Sequence, residues 1–247
     1  HSWTSSWLWL WLCFFRTGSG LGVLISQFPR TLTQRPGETM KITCVQNETS
    51  YPYMYWYKQL QGEGPRLIAQ SVDGFNATYE ESYNKTKFPI TRLNTEISSM
   101  SAVDLRTQDT ANYFCAASEH TVQYFGDGTK LTVLEDGLNI TSPKVAIFPP
   151  SKQEIKEKGK ATLVCLVRDF YPDHVKLVWQ VNDADREDGV RTDEFSTWDD
   201  TSKSYSLTSR LRISTQEWFN SKNSFRCAVK FHLDEVQYEV IRGGDGE

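Results

Sequence analysis

Two cysteine pairs constrain this chain more than anything else in its sequence. Cys44 and Cys115 lie 71 residues apart, and Cys165 and Cys227 lie 62 apart. Each pair has a tryptophan shortly after its first cysteine, Trp56 12 residues after Cys44 and Trp179 14 residues after Cys165. Neither pair has the close spacing of a zinc or redox site, so long-range disulfides and an oxidising compartment follow. In the chain-entropy model each bridge contributes about 4 kcal/mol. The flanking residues alternate: Met40, Ile42 and Cys44; Ala111, Tyr113 and Cys115; Ala161, Leu163, Cys165 and Val167. So do Val175, Leu177, Trp179 and Val181, then Tyr205, Leu207, Leu211 and Ile213, and Phe225, Cys227, Val229 and Phe231. Period-two alternation marks half-buried strands with the cysteines facing inward. The expected bridges are Cys44–Cys115 and Cys165–Cys227, with no third. The fold is therefore all-β: two sandwiches in tandem, related as an internal repeat.

A length of 247 residues suits two ordinary domains. The net charge of -4 gives no basic footprint for nucleic acid. Residues 1–22 read as an incomplete signal peptide or a mistranslated upstream stretch. Their apolar run, Trp7 to Phe15, is shorter than the ~20 residues of a membrane span. Gly20 and Gly22 fit a cleavage site, and Cys13 leaves with the segment. The domains are then 23–134 and 139–247 with a linker at 135–138, the second being truncated at its C-terminal end. Glycosylation sequons at Asn47, Asn76, Asn84 and Asn139 agree with a secreted or surface protein. Gly62-Glu-Gly-Pro65 reads as a turn, and Phe170-Tyr171-Pro172 as a tight turn suited to a cis bond.

The most informative stretch runs from Tyr113 to Gly128. Tyr113 stands two residues before Cys115, the tyrosine-corner spacing of an immunoglobulin sandwich. An irregular segment, 116 to 124, separates Cys115 from Phe125-Gly-Asp-Gly128, whose glycines suit a bulge needing positive φ. With Trp56-Tyr57-Lys58-Gln59, Asp109 and Phe125-Gly-Asp-Gly-Thr-Lys-Leu-Thr-Val-Leu134, the first domain resembles a variable domain with its joining segment. The second carries Phe148-Pro-Pro-Ser-Lys-Gln-Glu-Ile155, Asp173-His-Val175, Ser209-Arg-Leu-Arg-Ile213 and Trp218-Phe-Asn. From about Val23 to Arg242 the chain thus resembles a T-cell receptor β chain, and less closely an antibody light chain. The resemblance implies an immunoglobulin variable-type domain followed by a constant-type one.

No histidine stands in a catalytic or metal motif, so the chain reads as no enzyme and needs no cofactor. The resemblance implies three antigen-binding loops. They comprise Glu48, Thr49, Ser50, Tyr51, Pro52 and Tyr53; Ser71, Val72, Asp73, Gly74, Phe75, Asn76 and Ala77; and the third segment with Ser118, Glu119, His120 and Thr121. Tyr51, Tyr53 and Tyr124 are candidate anchors, since tyrosine offers contact area at low entropic cost. Tyr57, Gln59, Pro65, Leu67, Phe114 and Phe125 would form the face that pairs with an α chain. There Phe114 is expected to be an exposed aromatic, and Gln59 to bond its counterpart. Asn76 is expected to point outward with Phe75 and Ala77 tucked beneath it, and Asn139 to carry sugar. Implied partners are an α chain, peptide on a histocompatibility molecule and signalling subunits, at a cell surface through an anchor beyond this sequence. The short segment after the last cysteine strand, Leu233 to Val240, weakens the inference to signalling subunits.

Overall fold

The computed structural model describes residues 24–232 and 235–244. The signal-peptide reading and Cys13 lie outside those residues. The protein divides into two compact units, one up to Val133 and one from Leu134.

The first unit contains β1 (Ile25–Phe28), β2 (Thr31–Gln34), β3 (Met40–Gln46), β4 (Tyr53–Gln59), β5 (Arg66–Val72), β6 (Thr78–Tyr79), β7 (Ile90–Arg92) and β8 (Ile97–Ala102). After a short 3₁₀ turn at Thr107–Asp109 come β9 (Ala111–Ser118), β10 (Gln123–Phe125) and β11 (Thr129–Val133). One sheet runs β1-β3-β8-β7 and the other β2-β11-β9-β4-β5-β6, with β10 on β9. The β2–β11 pairing is parallel. In β3 the buried set is Met40, Ile42, Cys44 and also Gln46. The Cys44–Cys115 disulfide joins the two sheets. Beside it Trp56 is fully buried, and its indole N–H donates to Ser98 Oγ at 3.1 Å. A buried indole needs such a partner.

Beyond Cys115 the alternation stops, since Ala116, Ala117 and Ser118 are all buried. Strand β10 folds back on β9, pairing Gln123 with Ser118 and Phe125 with Ala116. The irregular segment expected over 116–124 therefore narrows to residues 119–122, the tip of a hairpin. The two glycines after Phe125 answer different demands. Gly128 alone has positive φ, 87°, and a Cβ there would sit 2.6 Å from the Phe114 ring. At Gly126 the demand is space, because a Cβ would meet Gln27 Oε1 at 2.9 Å. Gln27, buried, accepts from Cys115 N and donates to Tyr113 O and Thr129 Oγ1. It ties the first strand to the bulge.

The second unit contains β12 (Lys144–Phe148), α1 (Lys152–Lys158), β13 (Lys160–Phe170), β14 (Lys176–Val181), β15 (Ala184–Arg186), β16 (Val190–Thr192) and β17 (Thr197–Asp199). Then follow β18 (Ser204–Ser214), α2 (Thr215–Trp218), β19 (Ser224–Lys230) and β20 (Val236–Arg242). One sheet runs β12-β13-β18-β16 with β17 on β18, and the other β15-β14-β19-β20. Cys165 and Cys227 are bridged, and Trp179 Nε1 donates to Ser209 Oγ at 2.9 Å. The inward set of β18 is Leu207, Ser209, Leu211 and Ile213, while Tyr205 is only half-buried. Val175 precedes β14 rather than lying in it. Most of the segment from Leu233 to Val240 is strand, since Val236 to Val240 belong to β20. The helices carry their own signals: Ser151 Oγ accepts from Glu154 N, and Gly159 closes α1 in the left-handed region at φ 61°. The Tyr171–Pro172 bond is cis, and so is Phe28–Pro29.

Candidate functional site: a loop face and a sheet face

At the end of the first unit the loops are held by polar side chains, the buried Gln46 and the half-buried Arg92. Gln46 Oε1 accepts from Tyr51 N at 2.7 Å and Thr49 Oγ1 at 3.1 Å, and its Nε2 donates to Tyr51 O and Thr95 O. Arg92 donates from Nη1 to Ser71 O and Pro52 O, from Nη2 to Tyr51 O and Thr95 O, and from Nε to Asn94 O. Burial lowers the pKa of its guanidinium, and the Asp73 charge opposes that shift. One cation thus binds the carbonyls of the first loop, the end of β5 and the 94–95 turn. Asp73 adds a backbone bond to Pro52 O and accepts from Thr95 Oγ1. Gln46, Arg92 and Thr95 were not among the residues expected from the sequence. Strand periodicity does not distinguish a half-buried arginine that ties loops together from one facing solvent.

Some residues assigned to the loops belong to the core. Ser71 is buried in β5, and Ser118 is buried in β9 with its hydroxyl 3.0 Å from Tyr55 Oη. Neither is free for a ligand. Val72 closes β5 and Tyr53 opens β4, both half-buried. Phe75 is not tucked away: it is 74% exposed, while Ala77 is half-buried. Glu48 has positive φ, 61°, and is exposed, as are Ser50, Gly74 and Asn76. Glu119, His120, Thr121 and Val122 are exposed at the hairpin tip. Tyr51 stacks on Tyr124 with ring centroids 5.7 Å apart, so the first loop and the end of the third lie side by side. Of the sequons, Asn76, Asn84 and Asn139 are exposed. Asn47 is half-buried, and its Nδ2 donates to Ser26 Oγ at 2.6 Å. A sugar on that nitrogen would replace one of its two hydrogens and compete with this bond for space.

The outer face of the larger sheet carries Tyr55, Tyr57 and Gln59 from β4, Leu67 from β5 and Phe114 from β9. Phe125 is 48% exposed and packs on Tyr57 at 5.3 Å. Tyr57 Oη donates to Gln123 Oε1 at 2.7 Å, and burial raises its pKa. Phe114 is only half-buried rather than an open aromatic, because it covers Gly128. Gln59 is engaged within its own domain, donating from Nε2 to Glu63 O at 2.8 Å. Pro65 is exposed and Leu67 half-buried.

An immunoglobulin V-set domain model matches residues 27–134, and an immunoglobulin C1-set domain model matches residues 145–233. The viral T-cell receptor beta chain-like T17T-22 of feline leukemia virus is 37% identical over 236 residues, 90% of this sequence and 70% of that protein. The protein belongs to the T-cell receptor β-chain family. Its second half is 53% identical over 98 residues to the constant region of the mouse T-cell receptor beta-2 chain, covering 56% of that relative. Its first half is 32% identical over 108 residues to human T cell receptor beta variable 20-1, covering 97% of that relative. The antibody light-chain alternative gains no support from these relatives. Membership of this receptor family makes the protein a recognition molecule and not an enzyme. Among the described residues no helix is long and apolar enough to cross a membrane.

Proposed function

We propose that the protein is the β subunit of a cell-surface antigen receptor. It pairs through its variable domain with an α chain and binds peptide presented on a histocompatibility molecule. Signalling subunits would associate with the assembled receptor. The observation that carries the reading is the juxtaposition of first and third loops through the Tyr51–Tyr124 stack, beside the exposed Glu119, His120 and Val122. A rigid aromatic pair next to an exposed, chemically varied tip suits a paratope. Tyr57, Leu67, Phe114 and Phe125, with Gln59 and Pro65 at the margin, supply the apolar centre and polar rim of a pairing face.

Two sets of substitutions test the parts separately. Phe125→Ala should weaken co-purification with the α chain by about 2 kcal/mol, roughly thirtyfold, as for a central aromatic anchor. Gln59→Ala should do less, since its amide already serves Glu63. Glu119→Lys with His120→Ala should leave pairing intact and abolish binding of the cognate ligand. Wild-type pairing by Phe125→Ala would remove the assigned face. Unchanged ligand binding by the loop variant would remove the assigned paratope.

A further inference from the structure

We propose that a depression beside the second loop is a saccharide subsite, and that its occupant is the protein's own N-glycan on Asn76. The depression has a volume of 430 Å³ and is lined by Asp73, Phe75, Asn76, Arg92, Leu93 and Asn94. That size falls within the ~300–1,000 Å³ of small-ligand clefts. Its walls hold two large apolar side chains in the open, Phe75 at 74% and Leu93 at 63% exposure. The turn at 72–75 causes this display. Phe75 N donates to Val72 O, Gly74 adopts φ 80°, and the Phe75 side chain is sent out to solvent.

The polar groups around that apolar pair select a neutral polyhydroxyl ligand. Asp73 Oδ2 accepts from Thr95 Oγ1, which leaves Oδ1 as an open acceptor. Asn94 Oδ1 accepts from Glu96 N and Ile97 N, which leaves its amide nitrogen as an open donor. The arginine in the wall keeps its charge but has no N–H left to donate to an anion. Arg92 commits Nε, Nη1 and Nη2 to the carbonyls of Asn94, Ser71, Pro52, Tyr51 and Thr95. The Asp73 charge repels an anion as well. A pyranose presents C–H groups on one face and hydroxyls at its edge. It therefore matches an apolar pair flanked by one acceptor and one donor.

The occupant follows from the rim. Asn76 lines the depression, is exposed, and opens the sequon Asn76-Ala77-Thr78 just before β6. In the secretory compartment an oligosaccharyltransferase supplies the sugar from a lipid-linked pyrophosphate donor. The Asn76 amide nitrogen bonds to C1 of the first N-acetylglucosamine and loses a proton. The C1–O bond to the lipid pyrophosphate breaks, and that group leaves with the electron pair. The first sugar then starts inside the depression and needs no reach to cover Phe75 and Leu93. Resting on the antigen-recognition reading, this sugar withdraws the second loop from ligand contact and leaves recognition to the first and third.

The test needs no ligand, so its failure is separate from failure of that reading. The full-length protein is secreted from animal cells, and occupancy is read by glycopeptide mass spectrometry. Release by peptide N-glycosidase, which converts Asn76 to Asp, is then timed on native and denatured protein. A Phe75→Ser, Leu93→Ser double variant is run alongside; both side chains are exposed, so the domain should fold. The expected result is an occupied Asn76 whose sugar is released several-fold more slowly from native than from denatured wild type. That delay should vanish in the double variant with occupancy unchanged. An empty Asn76, equal native and denatured rates, or a delay that survives the double variant would each overturn the proposal.

Discussion

In the first domain the strand carrying the second cysteine is anchored by Tyr113; in the second, Phe225 stands at the same place. Tyr113 Oη donates to Asp109 O at 2.7 Å, and the Asp109 carboxylate accepts from Lys87 Nζ at 2.7 Å and Arg106 N at 2.8 Å. That corner is a buried polar network, with Asp109 itself only 3% exposed. In the second domain Phe225 packs against Trp218 of α2 at 6.0 Å. The polar work moves outward to a two-pronged pair, Arg186 with Glu217 at 2.7 and 3.1 Å, both about a quarter exposed. Both domains keep the disulfide and an indole donating to a serine of the opposite sheet. A shared core therefore does not dictate how the corner is tied. One solution is charged and buried, and the other is apolar with a surface pair.

The largest expected effect tests which corner depends on charge. Asp109→Ala strands Lys87 beside the backbone carbonyls of Val103 and Asp104 and unties Arg106 N. It should cost the first domain about 3 kcal/mol, as for breaking a largely buried pair. Glu217→Ala should cost the second domain about 1 kcal/mol, since solvent screens that pair. Hydrogen exchange read domain by domain gives both numbers. Equal losses would mean the two corners are not different in kind.

Swapping the corner residues is the next test. Tyr113→Phe should lose about 1–1.5 kcal/mol with its hydrogen bond, while the ring still fits. Phe225→Tyr should also lose about 1–2 kcal/mol, because it forces a hydroxyl among packed side chains around Trp218. Denaturant unfolding of each variant measures this. A stabilised Phe225→Tyr would mean the second domain had room and a partner for the tyrosine corner.

How much of this the sequence disclosed depends on the range of the interaction. Strand alternation around Cys44, Cys115, Cys165 and Cys227 is local, and it located both cores. The tyrosine corner was legible because Tyr113 and Asp109 are close in sequence. Gln27, Gln46 and Arg92 were not legible, because each also holds a segment remote in sequence: Gln27 reaches Cys115, Gln46 reaches Thr95, and Arg92 reaches Tyr51. The burial of Ser71 and Ser118 escaped for a related reason. Whether a residue at a strand end is loop or core depends on what folds over it, here β10 on the end of β9. Phe75 failed in the other direction, since an apolar residue in a loop was expected to find cover and the turn exposes it.

The smallest expected effect separates the corners by pH. Burial is the main cause that pushes the Tyr113 phenol well above its ordinary value, and the nearby Asp109 charge adds to it. Phe225 has no such proton. The native protein therefore keeps a proton on Tyr113 at alkaline pH that the unfolded state gives up near pH ~10. With the folded pKa raised, stability is fully present below that value and falls as pH rises beyond it. The loss from this one group should reach about 0.8 kcal/mol by pH ~10.5 and then steepen toward ~1.4 kcal/mol per pH unit. Tyr79 and Tyr83 in the first domain and Tyr171 and Tyr205 in the second are also raised by burial, so both domains have an alkaline limb. The comparison is thus between wild type and Tyr113→Phe, from pH ~9 to ~10.5, by denaturant midpoint. Tyr113→Phe should start less stable and lose less on raising the pH, so the two curves converge. Parallel curves would show that the phenol is not protected in the folded state, and the buried polar corner would then reduce to the Asp109–Lys87 pair alone.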